Sequence, residues 1–290
     1  MRELHTFDLV HPALQLGCFL AILVLTMTTI QPLFLALSLV AALLLSIYTR
    51  GWLSTLKSLA WLVPLIILCS VINPLFSAIG STELFRIGSH AVYLESFAYG
   101  TCMGAMLASV ILWFMNATRL LSSDKVLSVL GNILPTIGLM ISMTMRLVPQ
   151  FVERGNLIKS TTQAASAAKP RTRLEEAGGR IRLVSVLMGW SMEDSLETSD
   201  AMRARGWGAV KKRTHYQRYR FAAFDTLIAM MLLALVVITA VLAWLVCSAY
   251  AFYPVMSSLG PWWYYLPYAV LMFLPLIICL ADDLTWKRLS

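Results

Sequence analysis

Residues 9–49 read LVHPALQLGCFLAILVLTMTTIQPLFLALSLVAALLLSIYT, 41 positions without one Asp, Glu, Lys or Arg. A bilayer core about 30 Å thick takes roughly 20 helical residues, because peptide groups left unpaired in hydrocarbon are costly. The run has room for two spans, and Gln31-Pro32 near its middle marks the turn, since proline suits the first position of a helix. Further charge-free runs follow at Ser58–Thr82 (25 residues) and Ser96–Thr118 (23), each with room for one span, and at Thr226–Ala281 (56), with room for two. Tyr253-Pro254 and Gly260-Pro261-Trp262-Trp263-Tyr264-Tyr265 divide the last run, and the aromatic cluster matches the belt found where spans meet headgroups. The count is six spans. Their apolarity is continuous rather than alternating, which argues against a transmembrane β-barrel.

The composition agrees. Of 290 residues 59% are apolar and 13% charged, with a mean hydropathy of +0.74. A water-soluble globule and a disordered chain are both excluded by that balance. Cys18, Cys69, Cys102, Cys247 and Cys279 each sit in an apolar run with no metal-ligand spacing, and read as small buried hydrophobes. No removable signal peptide is expected, since the first apolar stretch lacks a small-residue cleavage site.

Orientation follows from the basic residues. The segment Arg119–Arg220 holds 17 Lys and Arg against 8 Asp and Glu, in a chain whose net charge is +8. By the positive-inside tendency it lies in the cytoplasm, as do Arg50–Lys57 and Lys287-Arg288, leaving Asn73–Glu95 and Tyr250–Trp262 outside. Both termini are then cytoplasmic and the expected location is the cell membrane. Residues 1–118 hold spans one to four, 119–221 a cytoplasmic domain, and 222–290 spans five and six. Val126–Met145 also lacks charge, but Gly131-Asn132 and Pro135 interrupt it, and a crossing there would carry the basic cluster after Arg146 outside. A helix lying at the cytoplasmic face is the preferred reading.

Within the insert, apolar residues at 137, 140, 141, 145, 148, 151, 152 and 158 follow the spacing of one helix face. This predicts a long amphipathic helix with a possible kink at Pro149. After the basic break Lys169-Pro170-Arg171-Thr172-Arg173 and Gly178-Gly179, a second amphipathic helix is expected from about Arg180 to Arg205, stopped by Gly206 with Arg203 and Arg205 in its last turn. Glu193, Asp194, Glu197 and Asp200 read as a solvated face partly paired with Arg203. The run from Lys211-Lys212-Arg213 to Arg220, just before a span, points to anionic lipid headgroups rather than nucleic acid.

The end of that second helix, Asp200-Ala201-Met202-Arg203-Ala204-Arg205-Gly206-Trp207, resembles the signature of the transmembrane T component of energy-coupling factor (ECF) transporters, whose coupling helices end in Ala-Arg-Gly. Leu134-Pro135, Arg146-Leu147-Val148-Pro149, Ile158 and Gln163 are similar to the pattern of that family's first coupling helix. The resemblance covers about residues 120 to 208. One departure stands out: where the family carries Ala-Arg-Gly or Ala-Arg-Ser after the glutamine, this chain has Ala165-Ser166-Ala167. The resemblance implies a coupling subunit of an ABC importer for vitamins or metal ions, with two cytosolic ATPase subunits docking at Arg203-Ala204-Arg205-Gly206 and at Ala165-Ser166-Ala167. It also implies a membrane substrate-binding S component as partner, Arg146, Pro149 and Gln163 as structural residues of the coupling helix, and no enzymatic activity or cofactor of its own. Chemistry alone fits two readings equally: a helix cap with dipole-neutralising arginines, or a docking knob in which Ala204 and Gly206 allow close backbone approach and Arg205 offers a rigid fork of donors for a carboxylate. The resemblance tips the balance to docking.

Two rivals remain, a membrane-embedded enzyme and an autonomous carrier with an interfacial helical platform. The spans offer only uncharged polar residues such as Ser38, Ser70, Asn73, Thr101 and Asn116, with no His or carboxylate at useful spacing. A nucleotide-binding P-loop and an H-E-x-x-H motif are both absent from the sequence. His5, His11, His90 and His215 are scattered at loops and ends. The topology is open to test by thiol labelling of single-cysteine variants. Positions near Arg86 should react from outside the cell and positions near Arg173 only after permeabilisation; external reaction near Arg173 would refute this orientation.

Overall fold

The computed structural model describes residues 12–76, 80–87, 90–165, 173–209, 223–253 and 260–289. These form helices α1 (Pro12–Thr28), α2 (Pro32–Arg50), α3 (Trp52–Phe76), α4 (Leu94–Leu120), α5 (Ser123–Ile133), α6 (Pro135–Ala165), α7 (Arg173–Ala204), α8 (Ala223–Ala249) and α9 (Leu266–Leu289). A hairpin of β1 (Glu83–Ile87) and β2 (His90–Tyr93) lies between α3 and α4, and a 3-10 turn at Trp262–Tyr265 leads into α9. Five helices are long and apolar enough to cross a membrane (α2, α3, α4, α8 and α9), and α1 is a shorter apolar helix of 17 residues. The chain is an all-α polytopic membrane protein of about six membrane helices. It divides into two compact units, one of residues 1–126 with 220–290 and one of residues 127–219, and α5 crosses the boundary in sequence.

In the first unit, proline opens α1 and α2, where a missing N–H costs nothing. A single residue, Gly51 at φ +84°, turns α2 into α3. The closest helix pair is α3 with α4. Gly100 and Gly104 lie one turn apart on α4, and a Cβ on Gly104 would come within 2.8 Å of Ile66 Cα, one on Gly100 within 2.8 Å of the Cys69 carbonyl. Small residues at this spacing let two backbones approach where apolar burial gives no preference for helix over lipid. Ser70 and Thr101 then share a 2.8 Å hydrogen bond across the seam.

The interior of this unit carries hydroxyls and amides joined by hydrogen bonds, with Gln31 Oε1 and Asn116 Oδ1 left without a partner among the described residues. Thr26 Oγ1 donates to the Ile22 carbonyl and lies 3.1 Å from Ser38 Oγ, which accepts the Trp113 indole N–H at 3.0 Å. Asn116 Nδ2 donates to the Ala42 carbonyl at 2.9 Å, and Gln31 Nε2 to the Tyr265 hydroxyl at 2.7 Å. Around them pack Phe19 against Trp113, and Phe34 between Tyr265 and Tyr268. These contacts tie α1, α2, α4 and α9 into one core, while α3 and α8 turn most of their apolar surface outward.

The hairpin departs from the expected Asn73–Glu95 loop. Leu-Phe-Arg-Ile and Ala-Val-Tyr are strand-forming runs. Glu95, in the first turn of α4, is buried beneath it and accepts from the hydroxyls of Ser81 (2.9 Å) and Thr82 (2.8 Å) and from the Thr82 amide (3.2 Å). A buried carboxylate at the positive end of a helix with three donors is well compensated. The charge that reads in sequence as a loop residue is the peg that holds the hairpin.

The second unit contains α6 and α7. The uncharged stretch Val126–Met145 is broken between α5 and α6 at Leu134, with Pro135 opening the new helix. Helix α6 runs through Pro149 without interruption. Helix α7 begins at Arg173, ahead of the expected start near Arg180, and passes through Gly178-Gly179. Two glycines cost about 1 kcal/mol each in a helix, and the 2.8 Å ion pair of Glu176 with Arg180 brackets them one turn apart.

The close α3–α4 seam predicts a contrast between two glycine substitutions, both read as the melting temperature of the purified chain. Gly104→Ala should lose about 1–3 kcal/mol by forcing the backbones apart, whereas Gly17→Ala, with nothing within 4 Å of its Cβ, should be neutral or stabilising. Equal melting temperatures for the two variants would show that the seam is not close-packed.

Candidate functional site

Helix α7 ends in a specific way. The Trp207 N–H reaches back to the Met202 carbonyl and the Gly206 N–H to the Arg203 carbonyl, both at 2.9 Å, with Gly206 at φ +80°. This pair of bonds is the Schellman arrangement, in which a residue in the left-handed region closes the helix and satisfies its last carbonyls. Gly206 therefore has a backbone role, and the stop expected at this position is where the helix ends. The chain around it is solvent-facing within its unit: Ala204, Arg205 and Gly206 are exposed, as is Arg203. Among the described residues neither arginine makes a side-chain hydrogen bond or ion pair, so the expected pairing of Arg203 with the acidic face does not form. Glu193, Glu197 and Asp200 are exposed and Asp194 half-exposed, as a solvated face requires.

Helices α6 and α7 touch at one crossing. Phe151 meets Trp190 edge to face with ring centroids 5.8 Å apart, the Arg154 guanidinium lies 3.0 Å over the same indole, and Gly155 faces Leu187. An arginine stacked on an indole adds roughly 0.5–2 kcal/mol to such a contact. Because 151 pairs with 190 and 155 with 187, the helices run antiparallel at the crossing and their C-terminal ends leave it in opposite directions. Ala165, the last residue of α6, and Gln163 are exposed on one side of the crossing, and Arg205 lies on the other. Ser166 and Ala167 fall outside the described residues. Arg146 and Pro149 are exposed on α6, just before the crossing. The residues singled out in sequence thus form two separate stations and not one cluster.

The sequence pattern put Phe151 on the apolar face of α6 but did not single out Trp190, Arg154 or Gly155 as its contacts, although an arginine and an aromatic three residues apart on one helix were a usable signal. A second omission concerns the shape of α7. Leu183, Leu187 and Trp190 are half-buried and lie on its α6 side, while Ile181, Val184, Met188 and Met192 are exposed. At 100° per residue the two sets are centred roughly 140° apart. The expected single-stripe amphipathic helix is corrected: α7 has two apolar faces, of which α6 covers one.

In the membrane unit a groove of about 720 Å³ lies between α1, α8 and α9. Leu14, Phe19, Ile228, Leu232, Val270 and Leu274 line it, and Gln15 is the one amide at its edge. Apolar lining of this kind suits a hydrocarbon neighbour.

No family model and no curated protein matches this chain.

The geometry of the α7 terminus predicts that Gly206→Ala frays it. Forcing a Cβ into the left-handed region costs about 1–2 kcal/mol, equivalent to a roughly 5- to 30-fold rise in amide exchange at Trp207. Hydrogen exchange of the purified chain reads this directly. Unchanged protection at Trp207 would mean that the terminus is held by something other than the glycine.

Proposed function

We propose that this chain is the membrane-embedded coupling subunit of an ECF-type ABC importer. In this role two cytosolic ATPase subunits dock on the insert helices, and ATP-driven motion of those helices is passed to a membrane S component that carries a vitamin or metal ion. The observation that carries the reading is the end of α7. A helix closed by Gly206 presents Arg205, exposed and without an intramolecular partner among the described residues, between the two smallest side chains available. Such a knob fits an acidic groove, where a guanidinium can meet a carboxylate with two parallel bonds.

Three further features support the reading. The insert is a compact unit of its own in the contact pattern of the chain, as an element that moves against the spans requires. Its two helix ends leave the crossing in opposite directions, which suits two docking partners rather than one. The uncovered stripe Ile181-Val184-Met188-Met192 offers an apolar surface beside the docking end, and methionine, flexible and polarizable, repacks readily against different partners. In the same role, Ala165-Ser166-Ala167 provides the second station without an arginine, so the two ATPases are held unequally. Arg203 points about 160° away from Arg205 around the helix axis and contributes less. The basic run Lys211–Arg220 meets anionic headgroups where the insert returns to the membrane.

The test is copurification of the ATPase subunits with variants of the full chain, alongside uptake by the assembled complex. Arg205→Ala should cost about 2–5 kcal/mol of docking by leaving the partner carboxylate buried and unpaired. Arg205→Lys should recover part of that loss, because an ammonium cannot reproduce the fork, and Arg203→Ala should have a small effect. Full docking and uptake by Arg205→Ala would refute the proposal.

A further inference from the structure

The groove between α1, α8 and α9 opens to one side. Cys18 and Phe19 form its buried floor, whereas Met231, Ile238 and Val270 line it while 67%, 51% and 45% exposed. Apolar side chains so exposed on membrane helices face hydrocarbon. On α8 the lining runs from Ile228 to Ile238, a rise of about 15 Å, which is half of a hydrocarbon core about 30 Å thick. The groove therefore has the depth of one leaflet.

Its section separates two kinds of occupant. Spread over that length, 720 Å³ is a trough about 50 Å² in section, while a helix 10–12 Å in diameter with its side chains fills roughly 80–110 Å². A further span also needs a face running the whole thickness of the membrane. Here the α1 wall ends at Phe19, midway along a helix that continues to Thr28. A flexible hydrocarbon chain meets both limits.

One end of the groove is polar. Gln15 lines it near the start of α1 and is 4% exposed, and its Oε1 accepts from Lys125 Nζ of α5 at 3.5 Å. Lys125 is itself 9% exposed, so a cation is held inside the membrane unit one side chain from the groove. On α8, Asp225 precedes the lining by three residues and lies in the first turn, where the positive end of that helix offsets its charge. An ammonium carries three donors, so Lys125 can serve Gln15 and a phosphate oxygen together, in the charge-assisted bonds that are the strong ones. Shape and charge specify one occupant, a hydrocarbon chain one leaflet long with an anionic group at its boundary end. We infer that the groove holds an acyl chain of a single phospholipid whose phosphate meets Lys125 and Gln15. The site belongs to the membrane unit and stands or falls without the ATPase-docking reading.

The test is native mass spectrometry of the purified full chain in a nonionic detergent, with retained lipid counted as phosphatidylglycerol, or diacylglycerol bearing the same acyl chains, is titrated in. One phosphatidylglycerol per chain should bind saturably, and ahead of diacylglycerol. Ala234→Phe fills the groove from an exposed position on α8 and should raise the half-saturating concentration about tenfold or more, as overpacking a filled site does. Leu233→Phe, on an exposed neighbour that does not line the groove, should bind as wild type. Lys125→Gln should raise the half-saturating concentration about fivefold, the loss expected for one cation at a membrane surface, and should leave diacylglycerol binding unchanged. If Lys125→Gln does not fold, the two lipids compared on the wild-type chain decide the phosphate contact. Wild-type binding by Ala234→Phe, or an equal loss in Leu233→Phe, overturns the groove as the site. Equal affinity for diacylglycerol overturns the phosphate contact. A chain that retains no lipid, and whose Ala234→Phe variant loses a copurifying membrane protein instead, has a protein helix in the groove, which also overturns the proposal.

Discussion

Hydrocarbon accepts and donates no hydrogen bonds, and the membrane unit is organised around that fact. Every span is a helix because a helix alone satisfies its own backbone. The same constraint sorts the polar side chains. Thr26, Thr29, Thr49, Thr101, Ser109 and Thr239 return their hydroxyl protons to carbonyls four residues back, so that they cost the spans little. Other polar side chains are turned inward and joined across helices, as in the Trp113–Ser38 contact, which extends to the Thr26 hydroxyl, and the Gln31–Tyr265 pair. Directional bonds of this sort give the bundle a unique arrangement where apolar contact with lipid or protein is nearly equivalent.

Charges near the ends of the spans are treated in two ways. Glu95 is closed in by Ser81 and Thr82 and serves the fold of its own hairpin. Arg50 is half-buried with a donor left open. The contrast is informative because both sit beside a helix N-terminus, which compensates a carboxylate and opposes a guanidinium.

The insert obeys different rules, since its helices carry charge and exposed apolar side chains together. A helix with two apolar faces buries one against its neighbour and leaves the other exposed within its unit. In α7 the buried face is fastened by aromatic and cation–π contacts at a single crossing, which leaves both long arms open. The Schellman closure at Gly206 makes the end of the C-terminal arm a defined object, with its carbonyls satisfied and its arginine side chain exposed.

Much of this was legible from residues in order. The charge-free runs of 23 residues or more are long enough to supply the membrane helices and the turn at Gln31-Pro32 from composition, whereas the 20 charge-free residues of Val126–Met145 are broken at Leu134-Pro135. The stop at Gly206 was equally local, because only glycine enters the left-handed region without strain. What tertiary structure decided are the matters that depend on which surfaces meet. Gly100 and Gly104 are ordinary apolar-run residues until Ile66 and Cys69 are brought against them. Glu95 reads as a loop charge until Ser81 and Thr82 close over it. The two faces of α7 cancel in any one-stripe pattern, so the helix looks weakly patterned until α6 shows which face is spoken for. Helix formation in a membrane is settled by each segment's own backbone and polarity, whereas pairing is settled by shape and hydrogen bonds between segments, and those exist only once the chain is folded.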